Sequence, residues 1–163
     1  MGWVFNAEEV FDIAIRIEEN GGKFYRKAAL LQSDAADREM LEKLAAVEDG
    51  HKQYFEKMKI ALTDAEKGST VFDPMDESTQ YLAAMVDSHK GEGSPAAANA
   101  LTGEETVAEI LRIAIELEKE SILFYLGLMD WVPTELEKDR LDQIIREERR
   151  HVVQLNAVLS KLR

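Results

Sequence analysis

The chain has no cysteine among its 163 residues. That excludes disulfides, thiolate-held metals and CxxC redox pairs, and it favours a cytoplasmic setting. Positive charge is also short, with 20 Lys and Arg against 32 Asp and Glu, a net charge of −12. A surface of that sign repels phosphate backbones and anionic lipid, so the expectation is no nucleic acid and no membrane surface as partner. No apolar run approaches the roughly 20 residues that span a bilayer. Met1 to Asn6 lacks the basic-then-apolar order of a secretion signal, again consistent with a cytoplasmic protein. What remains is an ordinary globular composition, 45% hydrophobic and 32% charged, in a length that suits one domain with a sizeable core.

Histidine is scarce too, at three residues, and two of the three stand in a repeated pattern. Glu18 is followed 30 positions later by Glu48-Asp49-Gly50-His51, and Glu118 is followed 30 positions later by Glu148-Arg149-Arg150-His151. Each residue of the first set recurs 100 positions on in the second. On a helix, Glu-x-x-His places a carboxylate and an imidazole one turn apart on one face. Two such helices and two helices with one Glu each make the six-residue set of a dinuclear metal site in a four-helix bundle.

These carboxylates fall where charge is unexpected. Glu18 lies within the helical-period stripe Val10, Ile13, Ala14, Ile17, Gly21, Phe24, Ala28 and Leu31, and Glu118 within Ile110, Ile113, Ala114, Leu117, Ser121 and Phe124. Glu48 and His51 interrupt Leu41, Leu44, Val47, Phe55 and Met58, and Glu148 with His151 interrupts Leu141, Ile144, Ile145, Val152 and Leu155. A buried carboxylate is costly unless paired or bound to a cation. Two divalent ions would balance four Glu.

The chain divides into a helical hairpin over 7–66, a crossover over 67–103 and a second hairpin over 104–162. Asn6 with Glu9 forms a capping box for a helix from Ala7 to Gln32, and Ser33-Asp34 turns into a helix from Asp34 to Glu66. In the crossover, Asp73 and Pro74 open a short helix from Met75 to Ser88 with Leu82, Met85 and Val86 as its buried face. Gly91 to Ala100 reads as the most mobile stretch, and His89 as an exposed loop residue. Thr102 or Thr106 caps the third helix, which ends near Trp131, and Pro133 opens the fourth. Ile13-Ala14-Ile15 recurs as Ile113-Ala114-Ile115, and Phe24-Tyr25 as Phe124-Tyr125. Two related hairpins need a crossover between them if the second and third helices are to run parallel and all ligands point inward. The second hairpin carries Ile122, Leu123, Leu126, Val152 and Val153 where the first has Gly22, Lys23, Arg26, Lys52 and Gln53. That extra apolar surface is covered either by the crossover helix or by a second subunit, and a homodimer is the favoured expectation.

With the doubled Glu…Glu-x-x-His pattern in hand, the chain resembles the ferritin-like superfamily, and within it looks most like the erythrin-type di-iron domain of rubrerythrins. The likeness extends to Tyr81-Leu82 and Asp87-Ser88-His89 in the crossover. It implies an all-α, ferritin-like four-helix bundle of two hairpins. It further implies that Glu48 and Glu148 bridge two metals, that Glu18 and Glu118 are terminal ligands, and that His51 and His151 each bind one metal. Tyr25 and Tyr125 match tyrosines that hydrogen-bond to ligand carboxylates in that family. Two departures stand out: Ser121 occupies the place of an additional ligand Glu, and the four-cysteine rubredoxin module is absent.

Carboxylate-rich sites with two imidazoles suit two iron ions or manganese, and ligand type leaves zinc open. Gly21 and Ser121, both small and at equivalent repeat positions, are expected to flank open coordination positions. The expected function is an oxidoreductase acting on peroxide or O2, with electrons from an external donor protein. Ferroxidase chemistry for iron handling is the alternative enzyme reading, weakened for storage because no cage-forming fifth helix follows the fourth. A non-catalytic metal-binding bundle is the alternative outside enzymes.

Overall fold

The computed structural model of the chain describes residues 6–64, 75, 77–88, 96–132 and 135–162. Four long helices form the frame: α1 (Ala7–Leu30), α2 (Ala35–Ala61), α5 (Val107–Leu128) and α6 (Glu135–Lys161). Between the hairpins lie two short helices, α3 (Glu77–Ser88) and α4 (Ala96–Ala100), and a 3-10 turn over Met129–Trp131 extends α5. No strand occurs among the described residues, and no described helix is long and apolar enough to cross a membrane.

Local chemistry sets the ends of these helices. Asn6 and Glu9 exchange side-chain and backbone hydrogen bonds at the start of α1, as the sequence leads one to expect. Asp34 caps α2 by accepting from the amides of Ala36 and Asp37. Thr106, with Glu109, caps α5. Thr102 serves the turn before it, where Glu105 accepts the amides of Thr102 and Gly103 and Gly103 takes a positive φ of 92°.

Three boundaries differ from expectation. The first helix stops at Leu30, and the amides of Leu31 and Gln32 close its last turn on Ala28 and Ala29. The second ends at Ala61 because Leu62 turns extended and buries itself in the core, an apolar gain that further helix would forfeit. Within the stretch expected to be mobile, Ala96–Ala100 forms a helix. Alanine has the strongest helix propensity, the neighbouring Leu101 and Ala98 are buried, and Lys27 Nζ donates to the Ala98 carbonyl at 2.8 Å. Glu66, Asp73, Pro74, His89 and Pro133 lie outside the described residues, as does the side chain of Val86.

The core is split into two apolar layers. One joins Val10, Phe11 and Ala14 of α1, Phe55 and Met58 of α2, Phe124 and Leu128 of α5, and Leu141 and Ile145 of α6. The other joins Phe24 and Ala28 of α1, Leu41 and Leu44 of α2, Ile110 and Ala114 of α5, and Leu155 and Leu159 of α6. The first half of α1 thus shares a layer with the second half of α2, the second half of α5 and the first half of α6. That makes each hairpin antiparallel and leaves α2 and α5 parallel, which the crossover permits. The residues that fall between the layers are the six of the repeated pattern.

The crossover helix docks on the second hairpin. Leu82 is fully buried, Met85 packs against the first layer, and Tyr81 donates to the Leu123 carbonyl. A Cβ at Gly127 would stand 2.6 Å from the Tyr81 ring, so only glycine lets the two helices meet there. Ile122 and Val152 are half-buried against the core. Leu123, Leu126 and Val153 stay 47%, 51% and 70% exposed, so the crossover covers only part of the apolar surface noted in the sequence.

Candidate metal centre

Helix periodicity aims the six residues at one place. Glu18 comes from α1, Glu48 and His51 from α2, Glu118 from α5, and Glu148 with His151 from α6. All six are buried, with Glu18 and Glu148 only 1% exposed. His51 Nδ1 stands 2.7 Å from Glu148 Oε1 and 3.4 Å from Glu18 Oε2. His151 Nδ1 stands 3.1 Å from Glu148 Oε2, 3.4 Å from Glu118 and 3.7 Å from Glu48. The two imidazoles lie nearly parallel, with centroids 6.3 Å apart.

The donor atoms sort into two overlapping groups. Glu18, Glu48, His51 and Glu148 offer atoms that all lie within 4.8 Å of one another, and so do Glu48, Glu118, Glu148 and His151. Glu48 and Glu148 belong to both. Four buried atoms here, Glu18 Oε2, Glu48 Oε1, His51 Nδ1 and Glu148 Oε1, make no hydrogen bond despite their close approach. Buried polar atoms are normally satisfied, and these belong to residues whose donor atoms gather within 4.8 Å of one another. Oxygen and nitrogen donors in such a cluster fit divalent cations.

Without cations, protons must neutralise this cluster. Burial pulls the His51 imidazole down, but the close approach of Glu148 and Glu18 outweighs it and holds the group up at about 11. Burial likewise lowers His151, and Glu118 with Glu148 outweighs it, giving about 9. Burial, then the charges of Glu18 and Glu148, pushes Glu48 well above the usual carboxyl range. Burial and the neighbouring Glu148 raise Glu118 to about 8, against the pull of His151. Burial also acts to raise Glu148, but contacts with Glu118, His151 and His51 overcome it and keep that carboxyl ionised.

Each tyrosine of the repeat reaches across to the other hairpin. The Tyr25 hydroxyl donates to Glu118 Oε1 and the Tyr125 hydroxyl to Glu18 Oε1. Both rings are fully enclosed, Tyr25 edge-on to Phe24 at 5.5 Å and Tyr125 tilted against Phe55 at 5.2 Å. Burial, then the facing carboxylates Glu118 and Glu18 respectively, raises both phenols well above their ordinary value, so both stay donors. A Cβ on Gly21 would stand 3.0 Å from Glu48 Oε2, so the absent side chain leaves that carboxylate its room. Ser121 instead turns its hydroxyl back to the Leu117 carbonyl at 3.1 Å.

One contact was missed in the sequence. Glu147 Oε2 stands 2.8 Å from His51 Nε2, and its Oε1 stands 3.5 Å from Arg150. The available signal was its place four residues before His151, which sets it at the flank of the same helix face.

No family model matches the chain, and no curated protein matches it. Among solved structures, a 2.30 Å crystal structure from Thermotoga maritima matches with a TM-score of 0.73 at 23% identity, covering 98% of each chain. Its description as a ferritin-like diiron-carboxylate protein is itself provisional. At that identity the likeness shows the fold, a ferritin-like helical bundle.

Proposed function

We propose that the chain is a dinuclear metal-carboxylate protein, with iron as the pair it holds, acting as an oxidoreductase on peroxide or O2 with electrons from an external donor protein. The observation that carries this reading is the pair of buried donor groups sharing Glu48 and Glu148. Glu48 and Glu148 would serve both ions, while Glu18 with His51 and Glu118 with His151 would each hold one. The neighbour described as a diiron-carboxylate protein favours iron over manganese or zinc. The finer likeness is to the erythrin-type domain of rubrerythrins, supported by the doubled Glu…Glu-x-x-His pattern and by the tyrosines that meet Glu118 and Glu18.

A bound iron pair would supply two electrons to peroxide, one from each ion. The residues of this chain contribute the rest. Tyr25 and Tyr125 orient the terminal carboxylates. The two apolar layers exclude water on either side. Gly21 keeps a side chain's worth of space clear beside Glu48. With no cysteine in the chain, re-reduction falls to a separate donor, and the −12 charge favours one with a basic docking face. The exposed Leu123, Leu126 and Val153 suit a homodimer contact, which sedimentation would test.

Protein purified without chelator should contain two iron ions per chain, absorb in the near ultraviolet when oxidised and bleach on reduction. Reduced protein mixed with excess peroxide in stopped flow should react once and then stop. Glu148→Ala should lose that rapid phase, because one shared carboxylate is gone. Sustained peroxide loss without reductant would refute the external donor, and a colourless zinc-filled protein inert to peroxide would identify a non-catalytic bundle.

A further inference from the structure

Glu147 breaks the internal repeat. Its counterpart 100 positions earlier is Val47, a half-buried aliphatic residue that can accept no hydrogen bond. The matching ligands of the two hairpins are therefore surrounded unequally. His51 has carboxylates beside both ring nitrogens: Nδ1 stands near Glu148 and Glu18 without a hydrogen bond, while Nε2 meets the Glu147 carboxylate at 2.8 Å. His151 turns Nδ1 towards Glu118, Glu148 and Glu48, and the repeat position that would match Glu147 is the aliphatic Val47.

We propose that Glu147 is a positioning residue that makes the His51 half of the centre the tighter metal subsite and the first to fill. The inference rests on the dinuclear reading above. An ionised carboxylate only accepts, so Nε2 carries the proton and the Nδ1 lone pair is left for a cation. The same bond fixes the ring's orientation and raises the basicity of Nδ1, the known effect of an outer carboxylate on a metal-binding histidine. Arg150 steadies Glu147 from the surface side. Glu147 also adds negative charge to one end of the centre alone, which favours the cation at that end. Glu147 is 39% exposed while His51 is almost fully enclosed, so this carboxylate links the His51 end of the centre to the surface.

Cobalt(II) serves as the probe, because its visible bands report the ligands around each ion. Metal-free wild-type protein should take up two cobalt ions in two resolved steps. Glu147→Ala should weaken one step by about 10–100-fold, leave the other in place and shift the visible spectrum of the first ion. Glu147→Gln keeps an acceptor oxygen without the charge and should fall between the two. If Glu147→Ala melts lower when metal-free, Glu147→Gln carries the comparison. Equal wild-type steps, or two steps that shift together or not at all in the variants, would overturn the role of Glu147 while leaving the dinuclear site standing. Wild-type protein that takes up no pair of ions would refute the dinuclear reading itself.

Discussion

Filling the centre with two divalent ions at pH 7 should expel about three protons per chain. The count follows from the electrostatics of the cluster. His51 and His151 hold their protons up to about 11 and about 9, Glu118 holds one up to about 8, and Glu48 is pushed well above the usual carboxyl range. At pH 7 both imidazoles and Glu118 hold their protons, and the upward shift of Glu48 acts in the same direction. Ligation requires these protons to leave, and the positive charge of the two ions takes their place. With ordinary pKa values the two histidines would carry well under one proton between them at pH 7, and the carboxyls almost none. The assay is a zinc titration of metal-free protein in weak buffer, with a pH indicator or with calorimetry in buffers of different ionisation enthalpy. Release should shrink as the starting pH is raised past 8 and then 9, because Glu118 and then His151 surrender their protons before the metal arrives. A release of less than one proton at pH 7, or one that does not shrink with pH, would refute the buried cluster as the binding site.

Tyr25→Phe and Tyr125→Phe each remove one donor from a buried carboxylate without opening a cavity. Each should cost about 1–3 kcal/mol, read by calorimetry as roughly 2–4 °C per kcal/mol at this chain length; melting temperatures equal to wild type would sink the cross-hairpin bonds. Metal-free protein should lose stability as pH rises from 6 to 9. Unfolded His and Glu release protons near 6.5 and 4.5, whereas folded His51, His151 and Glu118 keep theirs to about 11, 9 and 8. Their contribution is therefore full below the unfolded values and fades as pH climbs through the folded ones. Glu148 acts oppositely but only near and below the ordinary carboxyl range, so a urea midpoint that increases over this window would contradict the argument. Gly21→Ala should leave metal-free protein at least as stable, since alanine gains about 1 kcal/mol over glycine within a helix. It should weaken binding of the ion pair, because its Cβ would press on Glu48 Oε2; unchanged zinc affinity would show that Gly21 does not shape the centre.

The sequence by itself determined the helix count of the frame, the two hairpins and the six converging residues. All of these rest on local periodicity: a 3.6-residue repeat puts Glu48 and His51 on one face, and the 100-residue offset says the second hairpin repeats the first. Carboxylates on apolar stripes then required a shared buried site. Helix ends were less legible where burial overrode propensity, as at Leu62, and a Gly/Ser/Pro/Ala-rich stretch concealed the alanine helix anchored by Leu101. Only the tertiary structure decided which carboxylate each tyrosine meets and that Glu147 attends His51 across 96 residues of chain. Those are contacts between hairpins. Their identity depends on the rotation and offset of one hairpin against the other, which the packing of two apolar layers sets and which no spacing along a single helix records.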